Sequence, residues 1–149
     1  MKKNKFLVIN GPNINLLGKR EPEVYGSLTL KEIEKYTQEK LKSYNLEIEW
    51  FQSNIEGEIV SKIQVASQGD FCALIINPAA YSHTSIAILD ALKIIPFNII
   101  EVHISNTHTR EEFRQNKITA SASKIVMEGL GKNAYFLAIY SQLIEKEKE

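Results

Sequence analysis

Short apolar runs that alternate with helix-like stretches restrict this chain to a small set of folds. Strand-like runs occur at 6–9, 46–52, 73–77, 98–103 and 124–127, and helical stretches are expected at 29–43, 57–68, 85–94 and beyond Gly129-Leu130-Gly131. Such alternation marks a parallel sheet with crossover helices and argues against a sandwich or a bundle. The expected fold is α/β, a doubly wound five-stranded parallel sheet in a single domain. The run Ala73-Leu74-Ile75-Ile76-Asn77 is apolar until its last residue, as a strand buried on both faces must be, so it is placed centrally. Leu46-Glu47-Ile48-Glu49-Trp50-Phe51-Gln52 is partly polar and is placed at an edge.

The first strand-to-helix connection is unusual. It runs over about 11–28, from the end of Phe6-Leu7-Val8-Ile9 to the capping-box pattern Thr29-Leu30-Lys31-Glu32. Connections of this kind take about two to six residues, and longer ones in compact domains tend to be lids or binding loops. This one carries Asn13, Arg20 and Tyr25, and Arg20 is one of three arginines in the chain.

Ligands of doubly wound sheets bind outside the carboxyl ends of the strands, where strand order reverses. The chemically distinctive residues collect there. The first strand leads to Asn13, Arg20 and Tyr25, and the third ends in Asn77-Pro78-Ala79-Ala80-Tyr81-Ser82-His83-Thr84-Ser85. The fourth ends in Glu101-Val102-His103-Ile104-Ser105-Asn106, followed by Arg110-Glu111-Glu112-Phe113-Arg114, read as a helical turn. A single histidine in such a segment is more often structural; the coincidence of all these groups at one sheet edge points to a site.

Composition narrows the partner. Eighteen basic residues balance eighteen acidic ones, which gives no footprint for nucleic acid or an anionic membrane and leaves a small molecule as the expected ligand. Cys72, the sole cysteine, sits in Phe71-Cys72-Ala73-Leu74-Ile75-Ile76 and is expected to be a buried, reduced thiol. The apolar run behind the basic Met1-Lys2-Lys3-Asn4-Lys5 is too short for a signal peptide, so a cytoplasmic protein is expected.

Cofactors are expected to be absent. Gly11-Pro12-Asn13 does not make the dinucleotide fingerprint, and no triphosphatase phosphate loop occurs. No metal is expected, because His103 and His108 lack carboxylate or cysteine partners at a recognised ligand spacing; His108 is read as a surface residue. Ser82-His83 lacks the nucleophile-elbow pattern of a serine hydrolase. What remains is an acid and a base without a nucleophile, suited to proton abstraction beside a carbonyl followed by loss of a hydroxyl.

Gly11-Pro12-Asn13-Ile14-Asn15-Leu16-Leu17-Gly18-Lys19-Arg20-Glu21-Pro22 with Tyr25-Gly26, Asn77-Pro78-Ala79-Ala80 with His83-Thr84-Ser85, and Glu101 to Asn106 with Arg110 to Arg114 together resemble the type II 3-dehydroquinate dehydratases. The likeness runs in order over nearly the whole chain. It implies a flavodoxin-like fold and the anti elimination of water from 3-dehydroquinate to 3-dehydroshikimate, through an enolate, in the shikimate or quinate pathway. By this resemblance Tyr25 is the base at C2, Arg20 stabilises its anion, and Asn13 holds a water that supports the enolate oxygen. His103, oriented by Glu101, protonates the departing C1 hydroxyl. Asn77, His83 and Arg114 bind substrate hydroxyls, and the backbone amides of Ile104 and Ser105 take the carboxylate. Asp90 matches a family residue that reaches a neighbouring subunit's site, which implies a homo-oligomer, a dodecamer built from trimers. From the residues alone, a local lysine partner for Asp90 is equally open.

Departures fall in the last third. Lys124 and Ala134 stand where the family usually has glycine, and 115–123 is atypical. A second class of function also stays open, a flavodoxin-like small-molecule binding module that has lost turnover. Arg20, Tyr25 and His103 together speak against it, since a binder would not need all three.

Overall fold

The strands run as expected, and the order in which they pair fixes where a site can form. In the structure, a computed structural model that describes residues 3–147, the strands are β1 (Asn4–Asn10), β2 (Leu46–Gln52), β3 (Ala73–Asn77), β4 (Asn98–His103) and β5 (Ile125–Glu128). All their pairings are parallel, in the order β2-β1-β3-β4-β5. β3 is central and β2 lies at an edge, as their apolar and mixed patterns require. The order reverses between β1 and β3, whose ends are in register at Asn10 and Asn77.

Side-chain alternation along the strands assigns the helices to two layers. Phe6 and Val8 pack with Ala73, Ile75, Ile100 and Val102 under α2 (Leu30–Lys40) and α5 (Ala134–Lys146). Leu7 and Ile9 face the other way with Leu74, Ile76 and Ile99, against Ile59 and Ile63 of α3 (Glu56–Ala66) and Ile88 and Leu92 of α4 (Ile86–Leu92). The capping box forms: Thr29 accepts from the Glu32 amide, and Glu32 accepts from the Thr29 amide. Ser85 caps α4 by accepting from the Ile88 amide.

Some boundaries and environments differ from expectation. The turn expected at 110–114 is a 3-10 segment at Glu112–Gln115, and a second one, Ile118–Ala122, occupies the atypical stretch. Cys72 is partly rather than fully buried, because it lies just before β3 begins at Ala73; Lys146 Nζ approaches its sulfur to 3.1 Å. The last helix continues through Lys146 into the charged end of the chain; Lys148 and Glu149 lie outside the described residues.

The switch point is held tightly. Gly11 N–H donates to Asn77 O at 2.8 Å, and a Cβ on Gly11 would lie 2.4 Å from the Pro78 carbonyl oxygen. Glycine is required there by contact with backbone, not by its own dihedral angles. Among the described residues no helix is long and apolar enough to cross a membrane.

Candidate active site

The carboxyl ends of β1, β3 and β4 surround one cavity. Its lining includes Asn13, Arg20, Tyr25, Asn77, His83 and His103, together with Ile104, Ser105 and Arg114. Ten of the eleven residues singled out from the sequence therefore lie at or directly behind one site, with Glu101 buried beneath His103. Asp90 is the exception: it is exposed on α4 and does not line this chain's cavity. Among the described residues no group of three or more His, Cys, Asp or Glu is arranged to hold a metal.

The loop expected to act as a lid carries Tyr25 at the end of a single helical turn, α1 (Pro22–Tyr25), started by Pro22 and left through Gly26 at φ +84°. Two guanidinium groups flank its ring. Arg110 donates from Nη1 to the phenolic oxygen at 2.7 Å, and its guanidinium carbon is 5.1 Å from the ring centroid. The Arg20 guanidinium carbon is 5.3 Å from the same centroid, with Nη2 3.5 Å from Glu21. Sequence reasoning placed Arg20 beside Tyr25 and gave Arg110 no role. The available signal was scarcity, since Arg110 is one of three arginines and all three fall at strand ends.

Tyr25 and Arg110 also divide space. They line both the cavity described, of about 80 Å³, and a second of about 760 Å³. Small-molecule pockets usually begin near 300 Å³. The smaller cavity alone is thus short of room for a substituted cyclohexane ring.

On β4, Glu101 and His103 are two residues apart and project to the same face. Glu101 is completely buried and accepts from His103 Nε2–H at 2.7 Å. That commits Nε2 and leaves Nδ1 as the ring nitrogen available to the cavity. The His83 ring stacks near it, centroids 6.3 Å apart. His83 Nδ1 lies 2.9 Å from the Asn116 carbonyl oxygen, which can only accept, so Nδ1 carries hydrogen and Nε2 keeps its lone pair. Burial pushes the His83 pKa below the usual value and outweighs the Asn116 hydrogen bond; His103, Arg114 and Lys117 act in the same direction as burial. A neutral His83 is an acceptor for a hydroxyl.

Asn77 is oriented from behind. Its Oδ1 accepts from the Ala79 amide at 3.1 Å, and its Nδ2 donates to the Tyr135 hydroxyl at 3.1 Å. Tyr135 in turn donates to Asn10 Oδ1 at 2.5 Å, bridging the register pair Asn10–Asn77 across the switch point. Burial drives the Tyr135 phenol upward, so it stays a neutral hydroxyl that both donates and accepts. Ala79 takes φ +53°, a conformation uncommon for a residue with a side chain.

Sheet order and layering define a flavodoxin-like α/β protein whose site lies at the topological switch point. The chain belongs to the Dehydroquinase class II family, which it matches over residues 4–143. It is 52% identical over 136 residues to a 3-dehydroquinate dehydratase of Clostridium botulinum (strain Hall), covering 91% of this chain and 92% of that one. A 3-dehydroquinate dehydratase of Helicobacter hepaticus is 50% identical over 135 residues, covering 91% and 85%. The crystal structure of a type II dehydroquinase from Butyrivibrio crossotus superposes with a TM-score of 0.91 at 43% identity, covering 95% of this chain and 98% of that one.

Proposed function

We propose that this chain is a 3-dehydroquinate dehydratase, a hydro-lyase that eliminates water from 3-dehydroquinate to give 3-dehydroshikimate without a cofactor. The observation that carries the reading is the placement of Tyr25, held at its hydroxyl by Arg110, on the same cavity as His103, held at Nε2 by Glu101. That placement supports a reading in which a base and an acid act from different strand ends on one small molecule, as stepwise elimination requires.

Tyr25, as phenolate, takes the C2 proton, and the electron pair of that bond forms the C2–C3 enolate. Asn13 holds the water that stabilises the enolate oxygen. Collapse of the enolate forms the C1–C2 double bond and expels the C1 hydroxyl, which takes the Nδ1 proton of a His103 protonated on both ring nitrogens and leaves as water, while Nε2–H stays on Glu101. Asn77, His83 and Arg114 bind substrate hydroxyls, and the amides of Ile104 and Ser105 bind the carboxylate.

A free phenol, with a pKa near 10, is ionised to about one part in a thousand at neutral pH, so a tyrosine base needs cations beside it. A unit charge about 4 Å away at an effective dielectric near 20 offers roughly 4 kcal/mol before desolvation is counted. In this reading the cations are Arg110, bonded to the Tyr25 hydroxyl, and Arg20, over the ring.

The loop over 11–28 acts as a lid: it opens to admit substrate, since the small cavity is confined by Tyr25 and Arg110, and closes to exclude water. Asp90, exposed on α4, serves the site of a neighbouring copy in a dodecamer of trimers, in the cytoplasm. Light scattering that found an active monomer would remove that role.

The product is a conjugated enone, so adding 3-dehydroquinate to the protein should raise ultraviolet absorbance. Absence of any rise with folded protein would refute the activity. A lysine adduct trapped by borohydride would refute the route.

A further inference from the structure

The Glu101 carboxylate is held by more than its histidine. Oε2, which accepts from His103, also accepts from Ser82 Oγ at 2.9 Å, and Oε1 accepts from Thr119 Oγ1. The two hydroxyl oxygens are 3.2 Å apart, and Ser82, Thr119 and Glu101 are all completely buried. Neither residue lines the cavity.

A buried carboxylate is costly unless its oxygens are saturated with donors. Here three donors converge on it from separate parts of the chain: Ser82 from the 3-10 segment after β3, His103 from β4, and Thr119 from the segment before β5. With one hydroxyl removed, an oxygen loses a donor and the carboxylate gains freedom to turn about its last torsion. The Nε2–H contact that fixes the His103 ring would loosen with it.

We infer that Ser82 and Thr119 are positioning residues for the acid step: they clamp Glu101 so that it holds His103 with Nδ1 available to the leaving hydroxyl. The inference rests on the dehydratase reading for its kinetic consequence, but not for its geometric one. The clamp gives a function to a segment whose sequence carries no recognisable signal.

The kinetic test uses Thr119→Val, which keeps the shape and deletes the hydroxyl, with Thr119→Ser as rescue and Ser82→Ala as an independent variant. Thr119→Val should lower kcat by about tenfold to a hundredfold, as expected for losing a hydrogen bond to a charged group, with KM little changed. Solvent exchange of the substrate C2 hydrogen should fall less than turnover, and Thr119→Ser should recover most of kcat. Ser82→Ala should behave like Thr119→Val, so the test survives if one variant misfolds. Equal losses of exchange and turnover, or wild-type kcat in the folded variants, would overturn the positioning role.

The substrate-free protein supplies a readout independent of the reaction. Nitrogen NMR of the His103 ring should show a hydrogen-bonded Nε2–H in the wild type that is weakened or exchanging in Thr119→Val. An unchanged ring signal would overturn the clamp even if the dehydratase is active. A changed signal with no wild-type turnover would uphold the clamp and remove the proposed activity.

Discussion

Arg110 Nη1 lies 2.7 Å from the Tyr25 hydroxyl oxygen, so the phenol is held by a guanidinium from the segment behind β4 rather than from its own loop. Arg20, from that loop, stands over the ring without a hydrogen bond to the oxygen. Two cations thus stand at this phenol, one bonded to its oxygen and the other over its ring.

Each arginine should therefore matter. Arg110→Ala and Arg20→Ala are expected to lower kcat by on the order of a hundredfold or more, within what a single charge at this range can supply. Arg110→Lys keeps the charge without the planar fork and should recover part of the loss. Steady-state kinetics on the four single variants, with Arg20→Lys as the fourth, decides the matter; an Arg110→Ala enzyme within threefold of wild type would exclude this contact from the base.

Gly11→Ala tests the switch point. Its Cβ would meet the Pro78 carbonyl at 2.4 Å, and backbone cannot give way as a side-chain tip can. The ends of β1 and β3 must part, which should cost about 1–3 kcal/mol by analogy with overpacked cores and should weaken substrate binding. Urea denaturation and KM measure the two effects. A wild-type midpoint and KM would show that the strand ends are not held as described.

The His83 ring gives a pH prediction with a definite sign. Its folded pKa lies below the usual 6.5, so between the two values the unfolded chain binds a proton that the folded chain does not. Stability from this group is therefore fully present above about pH 6.5 and is lost as pH falls from there toward the folded pKa. Denaturation at about pH 7.5 and about pH 5.5 should show a larger loss for wild type than for His83→Gln. Equal losses would mean that the partly buried His83 is not held as a neutral acceptor.

Much of this was legible in the chain, for reasons that differ by element. The strands show because residues buried on both faces must be apolar, as at Leu74, Ile75 and Ile76, and the cavity residues because strand ends concentrate polar groups that a core would reject. Family likeness, rather than periodicity, supplied their roles. Hidden were relationships made only by folding. Ser82 and Thr119 meet Glu101 across 19 and 18 residues of sequence, and Tyr135 joins Asn10 to Asn77 across 125 and 58. No local spacing encodes such contacts, so Thr119 read as part of an atypical loop and Arg110 as an unassigned cation.

The most direct test of the base assignment is solvent exchange of the C2 hydrogen of 3-dehydroquinate, followed by NMR in deuterium oxide with Tyr25→Phe. That variant keeps the ring and loses the ionisable oxygen. It should remain folded and bind product, yet lose both exchange and turnover by at least about a thousandfold. Exchange persisting within about tenfold of wild type would show that another group takes the proton.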